Sequence, residues 1–346
     1  MSASANSPSR FRSQLEFGRR GEETSRFLVS VSCEALVAEH QNDSSESPPL
    51  PEGELEAFFP ALKALLPLLQ RPLPRRVFHY TPQRSGVQIL ESSSIWASHI
   101  RHLPGDPEEY QKGLALTASK LQCLLEAETD PYVYDLLGRW GYQWPRIREH
   151  GWLVASLSSL RDSTSHWTEF GRIGYSFGFD AEVLNEIAGQ VEFTLFECLY
   201  ENDDHEVVCA GMISDALGTY HRLIADGYDH EQAAMPAKVI FEISISNAMP
   251  RLKKEQLRVQ SEYRLLSTLP LEYRKRVLRH REGKGGIMIP YEEVPFRNRD
   301  GRSALREIMV APDVDYKSAK LELESALKKF GYKGVEITRS AIGTLR

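Results

Sequence analysis

A chain of 346 residues with 41% hydrophobic and 26% charged residues has ordinary globular composition and enough length for one large domain or two smaller ones. A net charge of −6 excludes a global basic field that would draw the chain to nucleic acid, leaving only local basic stretches at Arg251–Lys254 and Arg274–Arg281. Cys33, Cys123, Cys198 and Cys209 are dispersed without CxxC spacing, which argues against a disulfide scaffold and against structural zinc.

No apolar run approaches transmembrane length, and the Ser/Arg-rich stretch Met1–Arg20 lacks the apolar core of a secretory signal. The expected setting is a reducing cytoplasm without a membrane, or delivery into another cell by a secretion system that needs no such signal. Met1–Thr24 is polar and is expected to be disordered. Phe27–His40 reads as a strand or short helix. Gln41–Glu52 is a Ser/Pro/acid-rich linker, and Leu55–Leu69 is a helix divided by Pro60 and Pro67. Residues 25–75 are therefore expected to form an accessory segment before a main domain over 76–346.

That domain opens on Val77-Phe78-His79-Tyr80, β-branched and aromatic, a short buried strand that Thr81-Pro82 ends. Apolar residues between Gly86 and Trp96 then recur at near-helical spacing, so His79 stands where a strand runs into a helix. A histidine beside a hydroxyl at such a place can hold a polar ligand, or simply bond a main-chain carbonyl. Ala97–His102 is a second short strand, and Gly105–Glu109 is turn chemistry opening a helix. Leu114–Leu137 is helical with a break near Asp130-Pro131. Trp152–Leu160 is a buried strand, His166–Phe170 a short helix, and Ile173–Phe179 a strand with close backbone neighbours.

Asp180 is the N-cap of the next helix. Glu192–Glu201 reads as a strand, Glu206–Gly227 as a helix, and Ala237–Ser244 as a strand. Gln260–Leu266, Gly286–Tyr291 and Ile308–Val310 are further strands. Ser318–Phe330 is an amphipathic helix closed by Gly331, and Gly334–Thr338 is the last strand. Few pairs make clean βαβ units, so the expected class is α+β with an antiparallel-rich sheet.

No Walker loop, Rossmann fingerprint or GxSxG elbow is present. Gly171-Arg172-Ile173-Gly174 precedes a strand rather than a helix, and Gly283–Gly286 reads as a hairpin turn. Gln260 and Glu262 are two apart, and on a strand they would face one cleft together. A carboxylate beside an amide can hold a sugar diol and stabilise a developing oxocarbenium ion; the alternative is two exposed polar positions on an edge strand. Trp96, Trp167, Phe177 and Phe179 read as core, and His99, His102 and His166 as structural or surface histidines.

His79-Tyr80-Thr81, Ile95–Ser98, Asp106–Glu109, Trp167 with Phe170, Gly174–Phe179, Glu262-Tyr263-Arg264, Ile289-Pro290-Tyr291 and Glu307–Pro312 form an ordered series. From Val77 onward the chain thereby resembles a bacterial family known as domain of unknown function twenty-nine seventy-one. It departs from that family's pattern at Phe170 (usually Tyr), Gly105 (Asn), Gln260 (often Glu) and Ala311 (Gly).

The family in turn is similar to ADP-ribosyltransferases, whose core opens with a His- or Arg-bearing strand and closes with a strand carrying Glu. The resemblance implies a split, mostly antiparallel sheet with NAD+ bound as substrate in the cleft. His79 would bind the nicotinamide-side ribose, with Tyr80 and Thr81 supporting the cofactor. Glu262 would be the catalytic acid that stabilises the oxocarbenium, and Gln260 would orient the nucleophile. The middle element would be Ser156 or Ser158, or Tyr175 stacking on nicotinamide. The missing hydroxyl at Phe170 bears on activity. The implied reaction is transfer of ADP-ribose to a protein or nucleic acid, as in a toxin, effector or anti-phage protein. The alternatives are NAD+ hydrolysis, or a non-catalytic NAD- or nucleic-acid-binding module.

Overall fold

A computed structural model describes residues 71–102, 111–142, 152–171, 173–267 and 278–343. All of them belong to one compact unit, Phe59–Arg346. The expectations for Met1–Leu69, for the turn Gly105–Glu109 and for the basic residues 274–277 lie outside the described residues.

The chain is mixed α+β. Its first strand, β1 (Arg76–Pro82), leads directly into α1 (Gln83–Ser92), with Pro82 at the N-cap position. Ser93 ends α1 in the left-handed region at φ 53, which reverses the chain into β2 (Ser94–His99). Ile95 and Trp96 therefore belong to β2 rather than to the preceding helix. Then come α2 (Gln111–Ala127), α3 (Pro131–Tyr142) and β3 (Leu153–Ser158). One helical turn, Thr164–His166, continues as a wider turn over Trp167–Gly171.

Next are β4 (Gly174–Asp180), α4 (Ala181–Gly189) and β5 (Phe193–Glu197). Asp180 caps α4 as expected, accepting from the Val183 amide at 3.2 Å. The chain continues through α5 (Asn202–Ala225), α6 (His230–Ala248) and β6 (Glu262–Ser267). It closes with β7 (Arg279–Glu282), β8 (Met288–Pro295), β9 (Leu305–Val310), α7 (Tyr316–Lys329) and β10 (Glu336–Arg339).

One expectation is overturned outright. Ala237–Ser244, expected as a strand, is the interior of α6. A capping box between Asp229 and Gln232 starts that helix, and Ala233, Ala237, Ile240, Phe241, Ile245 and Ala248 bury one helical stripe. A short apolar run rich in branched residues has no period that separates a buried helix from a strand; the cap upstream decides it.

Among the described residues, ten strands form one mostly antiparallel sheet in which β9 and β10 pair in parallel. The sheet forks at β3. Along one edge, Val154–Ser158 pairs with Leu266–Glu262 of β6. The other edge is shared: Ser158 pairs with Phe78 of β1, while Val154 and Leu153 pair with Ser98 and His99 of β2. One arm is thus β10-β9-β4-β1 and the other is β5-β6-β3-β2-β8-β7, joined at Phe78 and Ser158.

Strand alternation puts Val77, Ala155, Leu157, Tyr175, Phe177, Phe179, Leu265, Ile308 and Val310 on one face. There they pack with Leu90 of α1, Leu184 of α4 and Leu323 of α7 in the main core. The opposite face carries Phe78, Tyr80 and Met309, covered by Trp167. α5 packs against both α6 and α2, and α3 packs against α2.

Candidate functional site at the fork

A straight row crosses the sheet at the fork. Glu307 on β9 lies opposite Gly178 on β4, Gly178 opposite Phe78, Phe78 opposite Ser158, and Ser158 opposite Glu262 on β6. The four side chains of this row share the face opposite the main core, and Gly178 stands among them. Four strand steps put the two carboxylate-bearing backbones ~19 Å apart. Gly178 has to be glycine in this row. A Cβ there would stand 2.6 Å from Glu307 Cγ and 2.8 Å from Phe78 Cε1.

At one end of the row Glu262 is buried. Its Oε1 accepts from Arg264 Nε at 2.7 Å, and its Oε2 accepts from Lys253 Nζ. Burial alone raises a carboxyl pKa; Arg264, and after it Lys253, override that and bring Glu262 down to about 2. It is a fixed anion and an acceptor at neutral pH, with no proton to donate. Its amide donates to Tyr200 Oη at 2.8 Å.

Gln260 does not share the strand. It ends the 3-10 turn Glu255–Gln260, and Ser261 turns the chain at φ 41 before β6 begins. The alternation expected for Gln260 and Glu262 is therefore absent. Lys253 restores their convergence, since its Nζ also donates to Gln260 Oε1 at 2.8 Å. The Lys253 backbone is itself anchored, its amide donating to the Leu199 carbonyl at 2.8 Å.

His79 sits where β1 and β3 part. Its Nδ1 meets the Ser156 carbonyl at 3.0 Å. A carbonyl only accepts, so Nδ1 carries the hydrogen and the neutral ring presents a lone pair at Nε2. Burial lowers the His79 pKa, with the Ser156 bond opposing, which keeps the ring neutral at pH 7. By register His79 lies opposite Phe177, so its Cβ leaves β1 on the core side, away from Glu262.

Ser158 ties the strands: its Oγ donates to the Gln260 carbonyl at 2.7 Å and accepts from the Leu160 amide at 3.1 Å. Tyr80 donates to the Leu160 carbonyl at 2.8 Å and packs edge-on against Trp167. Thr81 and Tyr175 stand apart from this group. Tyr175 is fully buried in the main core beneath α1, its hydroxyl reaching Glu322 at 3.4 Å, so neither face of its ring is open for stacking. Thr81 pairs with Tyr175 on that same face.

The sequence alone assigns no role at the site to four further residues. His166, expected as a structural or surface histidine, packs its ring 4.9 Å from that of Tyr80, and its Nδ1 lies 2.9 Å from Ser163 Oγ. Burial lowers its pKa, while the Glu262 carboxylate and the Gln260 carbonyl act the other way. Arg264 follows Glu262 by two on one strand, a same-face signal present in the sequence. Lys253 lies outside any periodic element, and Glu307 is paired with Arg76 at 2.5 Å and Arg161 at 2.9 Å through a fold contact that spacing does not reveal.

Among the described residues no group of three or more His, Cys, Asp or Glu is placed to hold a metal ion. Among them also, no helix is long and apolar enough to cross a membrane. No family model, no curated protein and no solved structure matches the chain.

Proposed function

We propose that this chain is an ADP-ribosyltransferase that uses NAD+ as substrate, releases nicotinamide and passes ADP-ribose to a macromolecule. The observation that supports this reading most is the register of the fork. It brings a histidine strand, a Ser-x-Ser strand and a Gln-x-Glu segment side by side, in the order β1-β3-β6, at the one place where the two arms of the sheet part. The same series of motifs underlies the resemblance to domain of unknown function twenty-nine seventy-one and, through it, to ADP-ribosyltransferases.

In this reading His79, on the core side of the fork, accepts a hydrogen bond at Nε2 from a hydroxyl of NAD+. Glu262 supplies negative charge beside the ribose carbon that loses nicotinamide. Since the carboxylate stays ionised, its work is electrostatic and hydrogen-bond accepting rather than acid donation. Lys253 covers that carboxylate, so its flexible side chain has to swing aside for a cationic ribosyl centre to approach.

The test is incubation of the purified chain with NAD+ labelled in the adenosine half, with free nicotinamide and acid-precipitable label followed together. Nicotinamide release with label on macromolecules supports transfer. Release with label only as free ADP-ribose moves the assignment to NAD+ hydrolysis. Binding of NAD+ without release leaves an inert module, and neither binding nor release removes the cofactor altogether.

A further inference from the structure

Ser163 and His166 form a hydroxyl–imidazole pair that the roles proposed above leave unused. Ser163 precedes the helical turn Thr164–His166 at the N-cap position, yet its side chain makes no cap bond. Its Oγ is instead 2.9 Å from His166 Nδ1 and 2.9 Å from Ser165 Oγ, and its amide donates to Tyr80 Oη at 3.2 Å. With its hydrogen on Nε2, the neutral His166 ring would present the Nδ1 lone pair to the Ser163 hydroxyl. That is the pairing of a nucleophile with its base.

One further feature suits the pair to group transfer. Burial lowers the His166 pKa, with Glu262 opposing and Lys253 adding to it, so the ring is a neutral base at pH 7. Ser163 is only half-buried and Ser165 is exposed, so the hydroxyl opens toward solvent while His166 behind it is buried.

We propose that Ser163 is an acceptor of ADP-ribose in cis, its hydroxyl activated by His166, which makes a serine-type hydroxyl the acceptor class of this site. The proposal rests on the NAD+ reading above. In the step, the bond from Ser163 Oγ to the nicotinamide-bearing ribose carbon forms as the bond from that carbon to nicotinamide nitrogen breaks. Nicotinamide leaves with the bonding pair as a neutral molecule, and the Ser163 proton passes to His166 Nδ1.

The experiment treats the full chain with NAD+ and maps ADP-ribose by peptide mass spectrometry that retains the O-linkage, alongside nicotinamide release and melting curves. The expected result is ADP-ribose on Ser163 in the wild type, none at that peptide in Ser163→Ala, and labelling slowed at least tenfold in His166→Gln. His166→Asn serves in its place if His166→Gln melts before the assay temperature. Nicotinamide release with Ser163 unmodified overturns the cis-acceptor role and leaves the NAD+ reading standing. Equal labelling of Ser163 in both folded His166 variants overturns the activation. Absence of nicotinamide release from every protein sinks the NAD+ reading, and the proposal with it.

Discussion

Substituting Glu262 by Gln perturbs a buried carboxylate whose pKa is brought from the ordinary 4.5 to about 2 by Arg264 and Lys253, against the opposing effect of burial. A depressed native pKa means that the unfolded chain binds the proton first. The stability it contributes is fully present above pH ~4.5 and is lost as pH falls toward ~2. Across that window the difference corresponds to roughly 3 kcal/mol. At pH 7 the substitution also leaves Lys253 and Arg264, both buried, without their anion, at a cost of about 3–5 kcal/mol. Glu262 is thus not a polar cleft position that tolerates an amide freely. The assay is urea unfolding of wild type and Glu262→Gln at pH 7, 4.5, 3.5 and 2.5. The wild-type advantage is expected to shrink by most of ~3 kcal/mol between the second and last of these. His79, His99 and His205, also held neutral by burial, add acid sensitivity common to both proteins, so the difference isolates Glu262 and its coupling to His166. A wild-type advantage that stays constant from pH 7 to 2.5 would refute the ion-triad reasoning.

His79→Ala is expected to weaken NAD+ binding by about 1–3 kcal/mol, and His79→Gln by less; calorimetry on the folded variants checks it, and wild-type affinity in His79→Ala removes the ligand role. Gly178→Ala forces a Cβ against Glu307 and Phe78 and is expected to cost about 1–3 kcal/mol in urea unfolding; a loss below ~0.5 kcal/mol contradicts the tight row. Asp229→Ala removes the capping box of α6 and is expected to lower stability by about 0.5–2 kcal/mol, and an unchanged midpoint would mean that packing alone sets the start of that helix.

The sequence made the local elements around the fork legible wherever period, cap and turn residue agree. β1, β3, β4 and the Asp180-capped helix fall where alternation and Asp chemistry put them. Agreement failed where one signal stood alone. The run Ala237–Ser244 has branched residues but no strand period, and a spacing of two that suggests one strand for Gln260 and Glu262 carries no information about a left-handed residue between them. The site followed the same rule. Glu262 and His79 lie at the fork because each is tied to a strand whose register the apolar pattern fixes. The resemblance implies a cofactor aromatic at Tyr175, but the alternation of β4 sends it with Phe177 and Phe179 into the core. Lys253 reaches Glu262 from an irregular segment anchored to Leu199, a contact that only the folded chain creates.

The central claim is that NAD+ is held and cleaved at the fork. Among ten histidines, ring-labelled NMR during NAD+ titration reads His79 and His166 directly once each is assigned by substitution. The account predicts that these two resonances shift together while the nicotinamide signal appears free in solution. Titration to saturating NAD+ with no histidine shift and no free nicotinamide would contradict it.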